Sequence, residues 1–389
     1  MRLSLLSFII IILFSSCDNK EMTQDVVNNE RRILLAFLGG DNSLSDEIDE
    51  RRNALIEGFQ ISLRHDPNDV LLIFADAEGK PSSLTEVSAL GVRNSLMMES
   101  ENLDAADPAV LKTLVNRIFN FYQADSYGLI VFSHGTAWMP EKGMQFPSDG
   151  EDSSSPTRGV ITDHENEMGL IDFADAVTLP DNNKWDFIIF ENCYMGSVEV
   201  IYELKDKTRN ILASSAEVLS PGMMPIYGSQ LPLLLVDEAD LNAFAKAYFD
   251  YYNSMNGVMR SATVSVVRTE NIDQLATLAA EVFDGYLPDE KTLNSWQHFN
   301  RNLRHYFFDL EQMMVSADSE CSGRLTSILE RIITYKAATP EFASGDYYDF
   351  KIEDFCGISG YFPQSDFVYL NDYYRRTLWG KKVFYKDYQ

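Results

Sequence analysis

Short apolar runs recur along the chain, separated by stretches of helical periodicity. Residues 32–38 (RILLAFL), 70–75 (VLLIFA), 128–133 (GLIVFS), 185–190 (WDFIIF), 211–214 (ILAS) and 261–267 (SATVSVV) are rich in aliphatic, β-branched and aromatic side chains. Runs of this kind, with little polar alternation, predict strands covered on both faces. Between them, residues 46–63 place Ile48, Ala54, Leu55, Phe59 and Leu63 at helical spacing. Asp107-Pro108 opens a helix to about Tyr122, with proline at its first position, and residues 225–235 and 240–255 predict two more. Residues 83–90 alternate weakly, as an edge hairpin does, and 158–162 predict another strand. Strands alternating with helices at this spacing predict an α/β fold with a mostly parallel sheet and helices on both faces.

From residue 270 to 338 the pattern is mainly helical, through Ile272, Leu275, Leu278 and Val282 and later Leu325, Ile328, Leu329 and Ile332. His298 and His305 fall on one face of a helix in this reading, as structural rather than metal-binding groups. A strand-like segment around Cys356 and an aromatic terminal helix near residues 369–379 close the chain. The expected organisation is a core over residues 31–268 and a mainly helical region over 269–389 packed on it.

The beginning changes the picture. Arg2 precedes an apolar run over residues 3–14, too short for a permanent bilayer span, which ends Phe14-Ser15-Ser16-Cys17. This resembles a bacterial lipoprotein signal over residues 1–16 with Cys17 acylated. The alternative is an ordinary secretory signal cleaved nearby. Residues 18–29 are polar and read as a tether, taken over 17–30. The expected location is the cell envelope, with the membrane touched only through the lipid. The formal net charge of −27 at pH 7 argues against nucleic acid or an anionic membrane surface as partner; it is compatible with a cationic substrate, though acidic surfaces mostly serve solubility. Beyond Cys17 three cysteines remain, an odd number that leaves at least one thiol free.

Two reactive side chains stand at ends of predicted strands. Cys193 follows the 185–190 run, and beyond Gly196 the residues Val198, Ile201, Tyr202 and Lys205 recur at helical spacing with Ser197 as a candidate N-cap. A thiol between a buried strand and a helix suits a nucleophile; a small buried hydrophobe is the other reading. His134-Gly135 ends the 128–133 run. A lone histidine is more often structural, but beside Cys193 on a neighbouring parallel strand it would serve as general base or ion-pair partner.

Around this pair the sequence resembles the clostripain-like cysteine peptidases, family C11. The segments are Ser133-His134-Gly135-Thr136-Ala137-Trp138 and Glu191-Asn192-Cys193-Tyr194-Met195-Gly196-Ser197-Val198-Glu199. Asp41-Asn42-Ser43-Leu44, Ala213-Ser214-Ser215-Ala216-Glu217 and Cys356-Gly357-Ile358-Ser359-Gly360-Tyr361-Phe362-Pro363 extend it. The resemblance implies a caspase-like α/β/α sandwich and a His134/Cys193 dyad cleaving after arginine or lysine. Backbone N–H groups of Gly135 and Cys193 would hold the oxyanion. Glu191 would be a pocket acid for the basic P1 side chain, with Glu217 the only carboxylate near a second position. Asn192 departs from the small apolar residue usual in the family, and Met223 and Met224 stand where polar or acidic groups are common.

Residues 139–157 are polar, acidic and rich in proline, serine and glycine, and predict an exposed loop. The resemblance implies maturation by cleavage there, with Lys142 and Arg158 as candidates. Asp149, Glu151, Asp152, Asp163, Glu165, Glu167 and Asp172 invite calcium, but no loop has EF-hand spacing, and a solvated acidic face is the simpler reading. Nothing nearby completes a zinc set around His164, so no metal ligands are assigned and no cofactor is required, with Ca2+ the one candidate ion. The expectation is a monomeric cysteine endopeptidase acting on protein or peptide. The alternatives are an inactive relative that binds peptide through the same groove, or an acyl hydrolase on the same dyad.

Overall fold

A computed structural model describes residues 30–64, 66–95, 103–140, 159–301, 304–346 and 349–386. Cys17, Lys142, Arg158 and the acids at 149, 151 and 152 lie outside them. Strand β1 (Arg32–Gly40) lies inside a nine-stranded sheet, and every one of its residues is buried. Beside it run β2 (Val70–Ala77) and, on the other side, β5 (Ser126–Phe132), both parallel to it. An edge hairpin, β3 (Lys80–Ser88) and β4 (Gly91–Asn94), extends the sheet beyond β2. A small separate hairpin follows in the chain, β6 (Ile161–Asp163) with β7 (Asn166–Met168). Beyond β5, β8 (Phe187–Phe190) and β9 (Asn210–Ala213) continue the parallel set, and β10 (Thr263–Arg268) reverses it.

Each central strand is apolar on both sides because both sides are covered. One face packs α1 (Ile48–Ser62), and further along the chain α5 (Met224–Gln230) and α6 (Leu241–Asn253), through Leu55, Phe59, Tyr227 and Phe244. The other carries α2 (Pro108–Phe121), α3 (Leu170–Ala176), α4 (Val198–Glu203) and α7 (Ile272–Val282). The predicted α/β/α sandwich is what forms. Asp107 caps α2 as its sequence predicts, accepting the Ala109 N–H at 2.8 Å.

Two expectations fail in the C-terminal part. The helical reading to residue 338 stops at Ile332, and Ile333–Ala338 is the far edge strand of the main sheet, antiparallel to β10. His298 and His305 are not on a helix: the chain folds back between them and their rings stack 3.5 Å apart. The predicted terminal helix is two short ones, Val368–Tyr374 and Leu378–Val383, the second seating Trp379 in the core. Among the described residues no helix is long and apolar enough to cross a membrane.

Candidate active site

The register of β5 on β8 decides where the two reactive groups emerge. Val131 stands opposite Phe190, and the Glu191 N–H donates to the Val131 carbonyl at 2.8 Å. Three residues beyond Val131 and Phe190 come His134 and Cys193, level with each other on one sheet edge. The segments touch there. A Cβ on Gly135 would stand 2.8 Å from the Asn192 Cβ and 3.0 Å from the Cys193 carbonyl oxygen, so only glycine fits. Asn192 ties the two ends together, its Nδ2 donating to the carbonyls of His134 (3.1 Å) and Val160 (2.8 Å). The sequence shows Asn192 only as a departure; its role needs the fold.

The thiol is partly exposed and in no disulfide; Cys321 and Cys356 are likewise unbridged, but buried. Its Sγ accepts the Val218 N–H at 3.4 Å. Tyr194, next in the chain, has a φ of 65°, a left-handed conformation that turns the chain sharply from β8 toward α4. That turn is pinned by Tyr194 N–H to the Ala216 carbonyl (2.9 Å) and Gly196 N–H to the Ser214 carbonyl (2.7 Å). The 213–217 block therefore braces the turn that carries Cys193. His134 is partly exposed, with its Nε2 2.8 Å from the Ser43 hydroxyl. Ser43 lies in the turn after β1, which explains why the 41–44 block accompanies the pair. The Gly135 N–H makes no hydrogen bond among the described residues.

The block at 356–363 supports the site without reaching it. The Ser359 N–H donates to the Gly196 carbonyl (3.0 Å), and the Glu199 carboxylate accepts Tyr361 N–H and the Tyr374 hydroxyl, each at 2.8 Å. Cys356 packs there, with burial foremost among the causes that push its thiol well above the ordinary range.

Glu191, expected as a pocket acid, is 3% exposed, and its carboxylate is engaged by groups of its own chain. Its carboxylate is sealed with Arg51 of α1, which pairs with it directly; the Tyr227 hydroxyl and the Met223 N–H (2.7 Å) donate to it as well. Burial first, and then the Glu191 charge, push the Tyr227 hydroxyl well above its ordinary value, so it remains a donor. The Arg51 guanidinium also lies 3.6 Å from the centre of the Phe132 ring. Glu217 stands close to Cys193, next to the Val218 amide that meets its Sγ. Its Oε1 accepts the Tyr194 hydroxyl (3.0 Å), and its Oε2 accepts Arg301 Nε (2.5 Å), an arginine that also pairs with Asp346 (2.9 Å). Both acids singled out in the sequence thus hold arginines of their own chain.

A thiol and an imidazole thus follow adjacent parallel strands in an α/β/α sandwich of the caspase-like kind. The Clostripain family model matches residues 36–339, and the chain belongs to that family of C11 cysteine peptidases. No curated protein sequence matches it. Among solved structures it is similar to an inactive zymogen C11 protease from Parabacteroides distasonis, at 28% identity and a TM-score of 0.73, over 91% of this chain and 97% of that one. Two secreted C11 cysteine proteases from Bacteroides thetaiotaomicron share its fold. One, in complex with an irreversible peptide inhibitor, has 24% identity and a TM-score of 0.75 over 92% and 99% of the chains. The other, iotapain, has 20% identity and 0.78 over 91% and 99%. The protein is a cysteine peptidase, and its substrates are proteins or peptides.

Proposed function

We propose that His134 and Cys193 form the catalytic dyad of an endopeptidase selective for arginine or lysine at P1. The strand register that brings the two side chains level carries this reading. In the reaction the Cys193 thiolate attacks the scissile carbonyl carbon. The negative charge that develops on its oxygen meets the N–H groups of Gly135 and Cys193. Imidazolium then gives its proton to the leaving amine, and a thioester remains. A water that loses its proton to the imidazole attacks the thioester, releases the acid and restores the thiol.

Glu217 supports the preference for a basic residue, because it sits one residue before the amide that touches Sγ and already binds a guanidinium. Cleavage after Lys142 or Arg158 is proposed as a maturation step, and acylation of Cys17 as the tether to the cell envelope. Intact mass and N-terminal sequencing of the wild type beside Cys193→Ala test the first; labelled-palmitate uptake lost in Cys17→Ser tests the second.

Hydrolysis of Arg- and Lys-aminomethylcoumarin peptides tests the dyad. Cys193→Ala and His134→Ala should each lower kcat by about a thousandfold or more. Turnover surviving either change would remove that residue from the chemistry.

A further inference from the structure

Over residues 297–309 the chain folds back on itself, and the fold-back carries Arg301, the arginine held by Glu217 next to the amide that meets Cys193 Sγ. It is closed by Asp309 N–H to the Gln297 carbonyl and Phe299 N–H to the Phe307 carbonyl, each at 2.9 Å. Asn300, wholly buried, organises its inside: Nδ2 donates to the Arg304 carbonyl (2.8 Å) and Oδ1 accepts Tyr306 N–H (2.9 Å). The Phe307 ring stacks on Tyr194 with centres 4.5 Å apart, so the fold-back rests on the residue that follows the thiol.

Two histidines lie face to face within it. The rings of His298 and His305 are 3.5 Å apart at 11°, with Phe350 5.2 Å from the first. His298 Nδ1 stands 3.2 Å from the Asn300 carbonyl, which only accepts, so that nitrogen carries a hydrogen. His305 Nδ1 is shut off from solvent without a partner. Such a stack suits neutral rings: a proton on one finds burial instead of water, and a proton on the second adds like-charge repulsion at contact distance. No carboxylate is among the influences on either ring. The charges on the surrounding segments are committed elsewhere. Asp346 pairs with Arg301, Asp349 takes Gly345 N–H (3.2 Å), Asp354 the Gln312 amide (2.6 Å) and Asp366 the Ser365 hydroxyl (3.2 Å). Arg304 lies over the Phe367 ring, and Lys351 and Glu353 are exposed. Burial, and then His298, push His305 down from an ordinary 6.5 to about 4, the Asn300 carbonyl pulling the other way.

We propose that the stacked His298–His305 pair is a pH-sensitive clasp: while neutral it holds Arg301 on Glu217, and on protonation it lets the fold-back open and yields Glu217 to a basic P1 side chain. The second half rests on the reading of Glu217 as a P1 acid. The sign follows from where the protons go. Opening returns the rings to water and to an ordinary affinity for protons, so the open form binds more of them. The clasped form is therefore favoured above about pH 6.5 and loses ground as pH falls toward 4. Between pH 7 and pH 5 the opening constant should rise about tenfold or more.

Hydrogen exchange read by mass spectrometry on the full-length chain carrying Cys193→Ala tests this, at pH 7 and pH 5, beside the same chain carrying His305→Phe. The phenylalanine keeps a ring in the stack and takes no proton, and comparison at equal pH removes the intrinsic pH dependence of exchange. Residues 297–308 should open about tenfold or more between the two pH values, most of it lost in His305→Phe. An equal response in both chains would overturn the clasp. So would histidine-labelled NMR of the Cys193→Ala chain in which both rings titrate at the ordinary 6.5, a measurement that needs no further variant. In the active chain the same pH step should lower KM for Arg-aminomethylcoumarin peptides about twofold or more relative to His305→Phe; an unmoved ratio would cut the link to Glu217. Arginine selectivity unchanged by Glu217→Gln at pH 7 would instead sink the P1 reading and leave the exchange result standing.

Discussion

The imidazole of His134 is approached through Nε2 by the Ser43 hydroxyl, so one ring nitrogen is occupied by an orienting group. Ser43→Ala removes one hydrogen bond of about 1 kcal/mol. It should lower kcat up to about tenfold with KM little changed. Steady-state kinetics check this, and an unaltered kcat would relieve Ser43 of any positioning role. Glu191 raises a different expectation. Both it and Arg51 have fully buried side chains, and breaking such a pair leaves a charge without its counterpart. Glu191→Gln should cost about 3 kcal/mol of stability, visible as a lower urea midpoint. A change in P1 selectivity at unchanged stability would return Glu191 to the substrate pocket.

At the level of elements, α4 is short and depends on what packs against it. Its Glu199 is buried, and burial pushes its carboxyl from an ordinary 4.5 up to about 7, against the donors Tyr361 and Tyr374. A folded pKa above the unfolded one means that the folded state holds the extra proton. The associated stability is present below pH 4.5 and lost as pH rises through about 7. Glu199→Gln keeps the hydrogen-bond acceptor and removes the ionisation. Relative to wild type it should gain on the order of 2–3 kcal/mol between those limits, read from denaturation midpoints at several pH values. A constant difference across that range would assign the proton elsewhere. The loop carrying Arg301 is the other element that bears on the site. Its ion pair with Glu217 is partly exposed (side chains 27% and 22%), which limits it to under about 1 kcal/mol. Arg301→Ala should therefore lower KM for Arg-aminomethylcoumarin peptides by a factor of about two to five. A raised KM would mean that Arg301 helps to build the subsite instead of competing for it.

Across the whole molecule, the parts legible in the sequence are those whose signal is local. A strand buried on both faces must be apolar along its length, so β1, β2, β5 and β8 announce themselves, and with them the residues at their ends. Arg51 does not, because its partner Glu191 is 140 positions away, and nothing local separates a buried arginine from the exposed charges of an amphipathic helix. Ile333–Ala338 runs on directly from a helix, has no fully buried residue and includes a lysine, so its pattern lacks the apolar continuity of the inner strands. His298 and His305 mislead through a spacing that a fold-back meets as readily as a helix.

Cys193 and His134 come level only once β5 and β8 lie side by side. Under the dyad proposed above, no fragment lacking either strand brings the two groups together, so the chemistry has to wait for the inner sheet to assemble.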